Sequence, residues 1–223
     1  MKYFRDLSFL ISFKFLFLII LLTVFIFSFL DIYLFKLSRS CPGIFFQFFQ
    51  TIIDPFSDLI DPFNLIILSG IILFFNSNIQ KIISNEAKMN IIKSKTGYSI
   101  EKIRNLFDFI SLICKHYFSS LIIAGILCNL VKYIMGVSRP KYYFLEGYER
   151  LNFFNIEHKV NSFPSGHTQA AFTLAVLLII YCNKYVFYIL IIAVLMGLSR
   201  IFMSMHFPSD LIAGAYLGSV VPY

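Results

Sequence analysis

The stretch FLFLIILLTVFIFSFL, running from Phe15 to Leu30, carries no charge and follows Lys2, Arg5 and Lys14. A bilayer-spanning helix needs about 20 mostly apolar residues, so this run reads as a membrane span. It is longer than the apolar region of a secretory signal, and Ser28-Phe29-Leu30-Asp31 offers no small-x-small cleavage site. The expectation is therefore a retained anchor.

The rest of the chain has the same character. Of 223 residues, 58% are hydrophobic and 14% charged, with 28 Phe, 13 Tyr and a mean hydropathy of +0.78. Soluble domains carry roughly a quarter charged residues, and a domain this small cannot bury so many rings in one aqueous core. These numbers argue against a water-soluble globule and leave no room for a separate soluble domain. Further apolar runs lie near residues 59–79, 117–135, 164–181, 185–203 and 207–223. The expected fold is an all-α integral membrane bundle of six helices, forming a single domain over residues 1–223.

Lys and Arg resist translocation, so their loop positions set orientation. Lys81, Lys88, Lys93, Lys95, Lys102 and Arg104 fall between spans two and three, and Lys2, Arg5 and Lys14 precede span one. Both segments are expected in the cytoplasm and residues 138–163 outside, where Arg139, Lys141, Arg150 and Lys159 are accompanied by Glu146, Glu149 and Glu157. The net charge of +7 is accounted for by these helix-end cations and calls for no nucleic-acid partner. In this topology only Cys41 lies outside; Cys114, Cys128 and Cys182 lie in the bilayer or at its cytoplasmic edge, so no intrachain disulfide is expected.

Residues 42–62 are aromatic-rich and contain Gln47, Gln50, Asp54, Asp58 and Asp61, and Asp54-Pro55-Phe56 recurs as Asp61-Pro62-Phe63. This composition suits an interfacial segment with the acids on its wet face. Gly214 and Gly218 have the small-xxx-small spacing that lets helix backbones approach closely.

Ionisable groups are costly near a bilayer and mark function. Here they form three clusters. Lys132 and Arg139-Pro140 end span three; seven residues is nearly two helical turns, so both cations are expected on one helix face. Pro164-Ser165-Gly166-His167 opens span four; proline suits a first helical turn, which leaves the Ser165, Gly166 and His167 amides pointing from a helix N-terminus that attracts phosphate. Ser199-Arg200, His206 and Asp210 straddle spans five and six, with Asp210 four residues after His206, within reach of one imidazole nitrogen. All three clusters fall on the same membrane face. Three cations, two histidines, one carboxylate and a helix N-terminus describe a pocket for a phosphate in transfer, a reaction carried by positioning and charge. No Walker loop, His-Glu-x-x-His or Cys-x-x-Cys pattern is present, so neither a nucleotide nor a zinc cofactor is expected.

With these spacings the sequence resembles the type 2 phosphatidic acid phosphatase (PAP2, or lipid phosphate phosphatase) superfamily, in its bacterial membrane-bound branch. The resemblance rests on Lys132 with six residues to Arg139-Pro140, on Pro164-Ser165-Gly166-His167, and on Ser199-Arg200 with five residues to His206 and three more to Asp210. It implies a cofactor-free and metal-independent phosphatase. His206 is then the nucleophile that becomes a phosphohistidine, Asp210 holds its ring, and His167 protonates the leaving oxygen and later activates water. Lys132, Arg139, Ser165, Gly166 and Arg200 form the phosphate cradle, with Ser199 behind it. The implied partner is a membrane lipid phosphate met at the outer face of the inner membrane: lipid A phosphate, undecaprenyl pyrophosphate, phosphatidylglycerophosphate or phosphatidic acid. A phosphotransferase of the same family and a non-catalytic lipid-phosphate binder or transporter are the competing readings.

Overall fold

The computed structural model describes residues 8–181 and 184–223; Lys2, Arg5 and Cys182 lie outside the described residues. Among the described residues the chain is helical, with one isolated antiparallel bridge between Val137 and Leu151. Three helices are long and apolar enough to cross a membrane: α1 (Phe13–Arg39), α4 (Pro62–Ile83) and α6 (Ile100–Met135). Between α1 and α4 lie the short helices α2 (Gly43–Phe48) and α3 (Asp54–Leu59). Helix α5 (Glu86–Thr96) joins α4 to α6, and α7 (Pro140–Leu145) follows α6. The last three are α8 (Gly166–Tyr181), α9 (Val186–Phe202) and α10 (Pro208–Val220).

Helix α8 is the centre of the bundle, packed by α6, α9 and α10. Its Ala170, Ala171 and Ala175 face a core with Leu121, Ala193 and Met196. A Cβ on Gly214 would meet the Ser165 carbonyl, and one on Gly218 the Gln169 carbonyl, so the two glycines let α10 lie directly on the α8 backbone. The outward surface is apolar instead: Phe17, Val24, Ile71, Phe74 and Ile126 are all about half exposed or more. Apolar groups that face outward along long helices require lipid around them, and the protein is a multi-pass membrane protein.

Of the six expected spans, those near residues 164–181, 185–203 and 207–223 form helices of 16, 17 and 13 residues, shorter than the three that are long enough to cross, and the first three depart from their expected bounds at their ends. Helix α1 continues past Leu30 to Arg39 because Asp31 is not left bare in lipid: it accepts bonds from the Ser209 amide and hydroxyl and pairs with Arg150. Helix α6 begins 17 residues before the expected start, capped by the Ser99 hydroxyl on the Lys102 amide. Its first turns pack Ile103 against Ile83 and Met89, which gives the lysine-rich connection a small core of its own.

Candidate active site

Arg139 does not share a helix with Lys132. Helix α6 stops at Met135 because Gly136 takes φ +52°, donating its amide to the Lys132 carbonyl, and a Cβ there would strike the Asn152 carbonyl. The chain then runs extended through Val137 and Ser138, and Arg139 becomes the N-cap residue of α7. The two cations nevertheless reach one space. A cavity of about 390 Å³ is lined by Lys132, Arg139, Gly166, His167, Arg200 and His206, with His158, Asn129 and Asn161 between them. Thus six of the residues singled out in the sequence converge, although they come from four separate segments.

Ser165, Ser199 and Asp210 stand behind this wall, each fully buried. Helix α8 starts at Gly166, later than expected, so Ser165 occupies the cap position. Its Oγ accepts from the Thr168 amide at 3.4 Å and hydroxyl at 2.9 Å, and its own amide donates to the Asp210 carbonyl at 3.0 Å. The Gly166 and His167 amides are left as the first-turn donors without a partner among the described residues. Ser199 donates its hydroxyl back to the Met196 carbonyl of its own helix at 2.7 Å.

The His206–Asp210 arrangement also differs from a direct bond. Asp210 Oδ2 is 3.5 Å from His206 Nδ1, and Ser162 Oγ lies beside both, 2.5 Å from the carboxylate and 3.3 Å from the imidazole nitrogen. The same carboxylate oxygen accepts the Phe207 amide at 2.8 Å. Ser162, which carried no motif, is therefore the bridge. With Nδ1 directed at Ser162 and Asp210, His206 presents its other nitrogen, Nε2, to the cavity. Burial first, then the charges of Lys132 and Arg139, hold the His206 imidazole well below its ordinary pKa, so it is neutral and carries a lone pair near pH 7.

The turn that carries His206 is clamped from α1. Arg39 donates to the Ile201 and Phe202 carbonyls at the C-terminus of α9, while Asp31 accepts from Ser209 at the N-terminus of α10. A cation and an anion thus meet the helix ends that suit their charge. Arg150 completes the clamp, pairing with Asp31 and lying 3.5 Å over the Phe207 ring centroid. An acid inside an apolar run was the available sign for Asp31; Arg150 gave none, since it read as a loop charge, and nothing in the sequence singled out Arg39.

Lys132 Nζ donates to the Asn161 carbonyl at 3.0 Å, and Arg139 meets Met205 Sδ at 3.6 Å. Arg200 pairs with Asp54 and, at 3.1 Å, with Asp58. His167 Nε2 lies 3.2 Å from Asp61 and 3.6 Å from Asp58. The acids of residues 54–61 are therefore not simply a wet face: they form the wall opposite the motifs. Asp54 and Asp58, four residues apart, share one face of α3, whereas Asp61 reaches the same wall from the cap of α4.

Among known proteins, the chain is similar to the lipid A 1-phosphatase of Rhizobium etli, 32% identical over 131 residues covering 56% of each chain. It is 36% identical to the undecaprenyl-diphosphatase of Sulfolobus acidocaldarius over 111 residues, 47% of this chain and 49% of that one. The chain spans about half the length of the curated relatives it matches. A solved structure, the transmembrane PAP2 type phosphatidylglycerolphosphate phosphatase of Bacillus subtilis, aligns over 91% of this chain and 90% of that one with a TM-score of 0.37 and 18% identity. Residues 114–222, which hold all three motifs, match the PAP2 superfamily.

Proposed function

We propose that this protein is an integral membrane phosphatase that removes phosphate from a membrane lipid through a phosphohistidine on His206, and that residues 1–223 work as one domain. The observation that carries the reading is a buried imidazole facing a cavity lined by three cations and two helix-terminal amides without a partner among the described residues. In the first step His206 Nε2 attacks phosphorus and the bond to the lipid oxygen breaks. His167, across the same cavity, protonates that oxygen. Ser162 and Asp210 take up the Nδ1 proton side of the ring as positive charge develops on it. In the second step water attacks phosphorus, the N–P bond breaks, His167 takes the water proton and inorganic phosphate leaves. Lys132, Arg139, Arg200 and the Gly166 and His167 amides carry the charge of the transferring group.

The cavity faces the periplasm in this reading. Thirty residues of α6 separate Lys102 from Lys132, about 45 Å along a helix, which exceeds the roughly 30 Å hydrocarbon core. The exposed Lys88, Lys93, Lys95 and Lys102 therefore sit at the end remote from the cavity, and positive ends stay inside. Phosphate release by purified protein from lipid A, phosphatidic acid, phosphatidylglycerophosphate and undecaprenyl pyrophosphate tests the activity. At least one lipid is hydrolysed, and His206→Ala abolishes turnover; substantial residual activity in that variant excludes the covalent route. Reporters active only in the periplasm are expected to work after Leu151 and to be silent after Ser94, and the reverse pattern would turn the site to the cytoplasm.

A further inference from the structure

The acid wall divides the cavity electrically. Asp54 and Asp58 pair with Arg200, and Asp58 and Asp61 lie against His167. Lys132 and Arg139 have no carboxylate partner among the described residues, and they are the cations that act most strongly on His206. Positive charge is thus available where phosphorus meets the nucleophile, while negative charge gathers where the leaving oxygen meets His167. Asp61 is fixed there, because its Oδ1 caps α4 through the Phe63 amide at 2.8 Å and its Oδ2 is left for His167.

The consequence concerns the group that departs. When the ester P–O bond breaks and the N–P bond forms, the bonding electron pair stays on the leaving oxygen, which takes the His167 proton. If the lipid is a monoester, the departing group is a neutral alcohol. If it is a diphosphate, the lipid monophosphate departs, still negatively charged, beside two carboxylates 3.2 and 3.6 Å from the same imidazole. Like charges this close repel strongly outside bulk water. We propose that Asp58 and Asp61 are specificity-determining residues that make this a site for phosphate monoesters of lipid alcohols and turn away lipid diphosphates. The inference rests on the phosphatase reading and on His167 standing at the leaving group.

The test uses the purified full chain in mixed micelles with phosphatidic acid and diacylglycerol pyrophosphate, which share one lipid body, and follows initial rates by separating the lipid products. Wild type should favour the monoester by at least about tenfold in kcat/KM. In Asp58→Asn/Asp61→Asn the preference should fall by at least about tenfold, chiefly through faster use of the diphosphate. Asparagine keeps the α4 cap, and Asp58→Asn alone, at a side chain 62% exposed, should move the preference by about threefold if the double variant does not fold. Equal or better use of the diphosphate by wild type overturns the inference, as does an unmoved preference in a variant that melts like wild type. If wild type releases phosphate from neither lipid and from none of the wider panel, the phosphatase reading itself falls and this inference falls with it.

Discussion

The two walls of the cavity differ in how firmly their side chains are held. On the motif wall His206, Arg200 and Lys132 are 3%, 4% and 8% exposed, seated between α6, α8 and the α9–α10 turn. On the opposite wall the Asp58 side chain is 62% exposed and that of Asp61 32%, carried by a six-residue helix and the cap of α4. A group that must meet phosphorus in one geometry gains from being packed, because misplacement lowers the rate directly. A group that only admits or rejects a substrate can stay near solvent. In the proposed reading the difference separates reactivity from selection, and substitutions on each wall should affect different kinetic constants.

His167 belongs to the first wall but touches the second, so its loss is the sharpest test of the division. His167→Ala should lower kcat by roughly 10²- to 10⁴-fold, the usual contribution of general acid–base catalysis, with a much smaller change in KM. Quenching the reaction on a lipid labelled in its phosphate should still find label on the protein when the leaving group is a weak base. A variant with wild-type kcat would remove His167 from proton transfer and leave the acid wall with nothing to act upon.

The two walls were also unequally legible in the sequence. Lys132, Arg139, Gly166, His167, Arg200 and His206 could be found because each breaks an apolar run or a helix end, where a polar residue is expensive. Asp54, Asp58 and Asp61 lie in a stretch already polar enough to pass for an interface, so nothing local showed that they pair with residues more than 100 positions away. The α6–Arg139 connection was misjudged for a different reason: residue spacing suggested a continuous helix, while Gly136 ends it one turn after Lys132. Ser162 was hidden because its importance is wholly tertiary. The close approach of α10 to a neighbouring helix, by contrast, was signalled by Gly214 and Gly218 alone, and the structure supplies α8 as that neighbour.

Ser162 marks the boundary of what packing contributes to the motif wall. Its hydroxyl lies 2.5 Å from Asp210 Oδ2 and 3.3 Å from His206 Nδ1, and the other carboxylate oxygen, Oδ1, has no hydrogen-bond partner among the described residues. Ser162→Ala should leave the carboxylate under-satisfied and the ring less firmly oriented, a loss of about 1–3 kcal/mol for a buried polar group. The expected result is a fall in kcat of roughly ten- to a hundredfold with KM nearly unchanged, and partial recovery in Ser162→Thr, which keeps the hydroxyl. A purely structural serine would lower the melting temperature without that separation of kcat from KM.

The smallest expected effect lies inside a motif. Ser199 precedes Arg200 in sequence, yet one position along a helix is a rotation of about 100°, which turns Ser199 away from the cavity that Arg200 lines. Its hydroxyl is satisfied by the Met196 carbonyl at 2.7 Å, and its own carbonyl accepts the Met203 amide at 2.9 Å. Alanine removes the first bond and keeps the second, and it is the better helix former by about half a kcal/mol. Ser199→Ala should therefore keep kcat/KM for a hydrolysed lipid phosphate within about twofold of wild type, with the melting temperature unchanged or slightly raised. Arg200→Ala, measured beside it, should raise KM, because a cation of the phosphate cradle is gone. A tenfold loss in Ser199→Ala at wild-type stability would show that this hydroxyl reaches the phosphate, and would place the motif wall one helical face wider than the cavity drawn by Arg200 and His206.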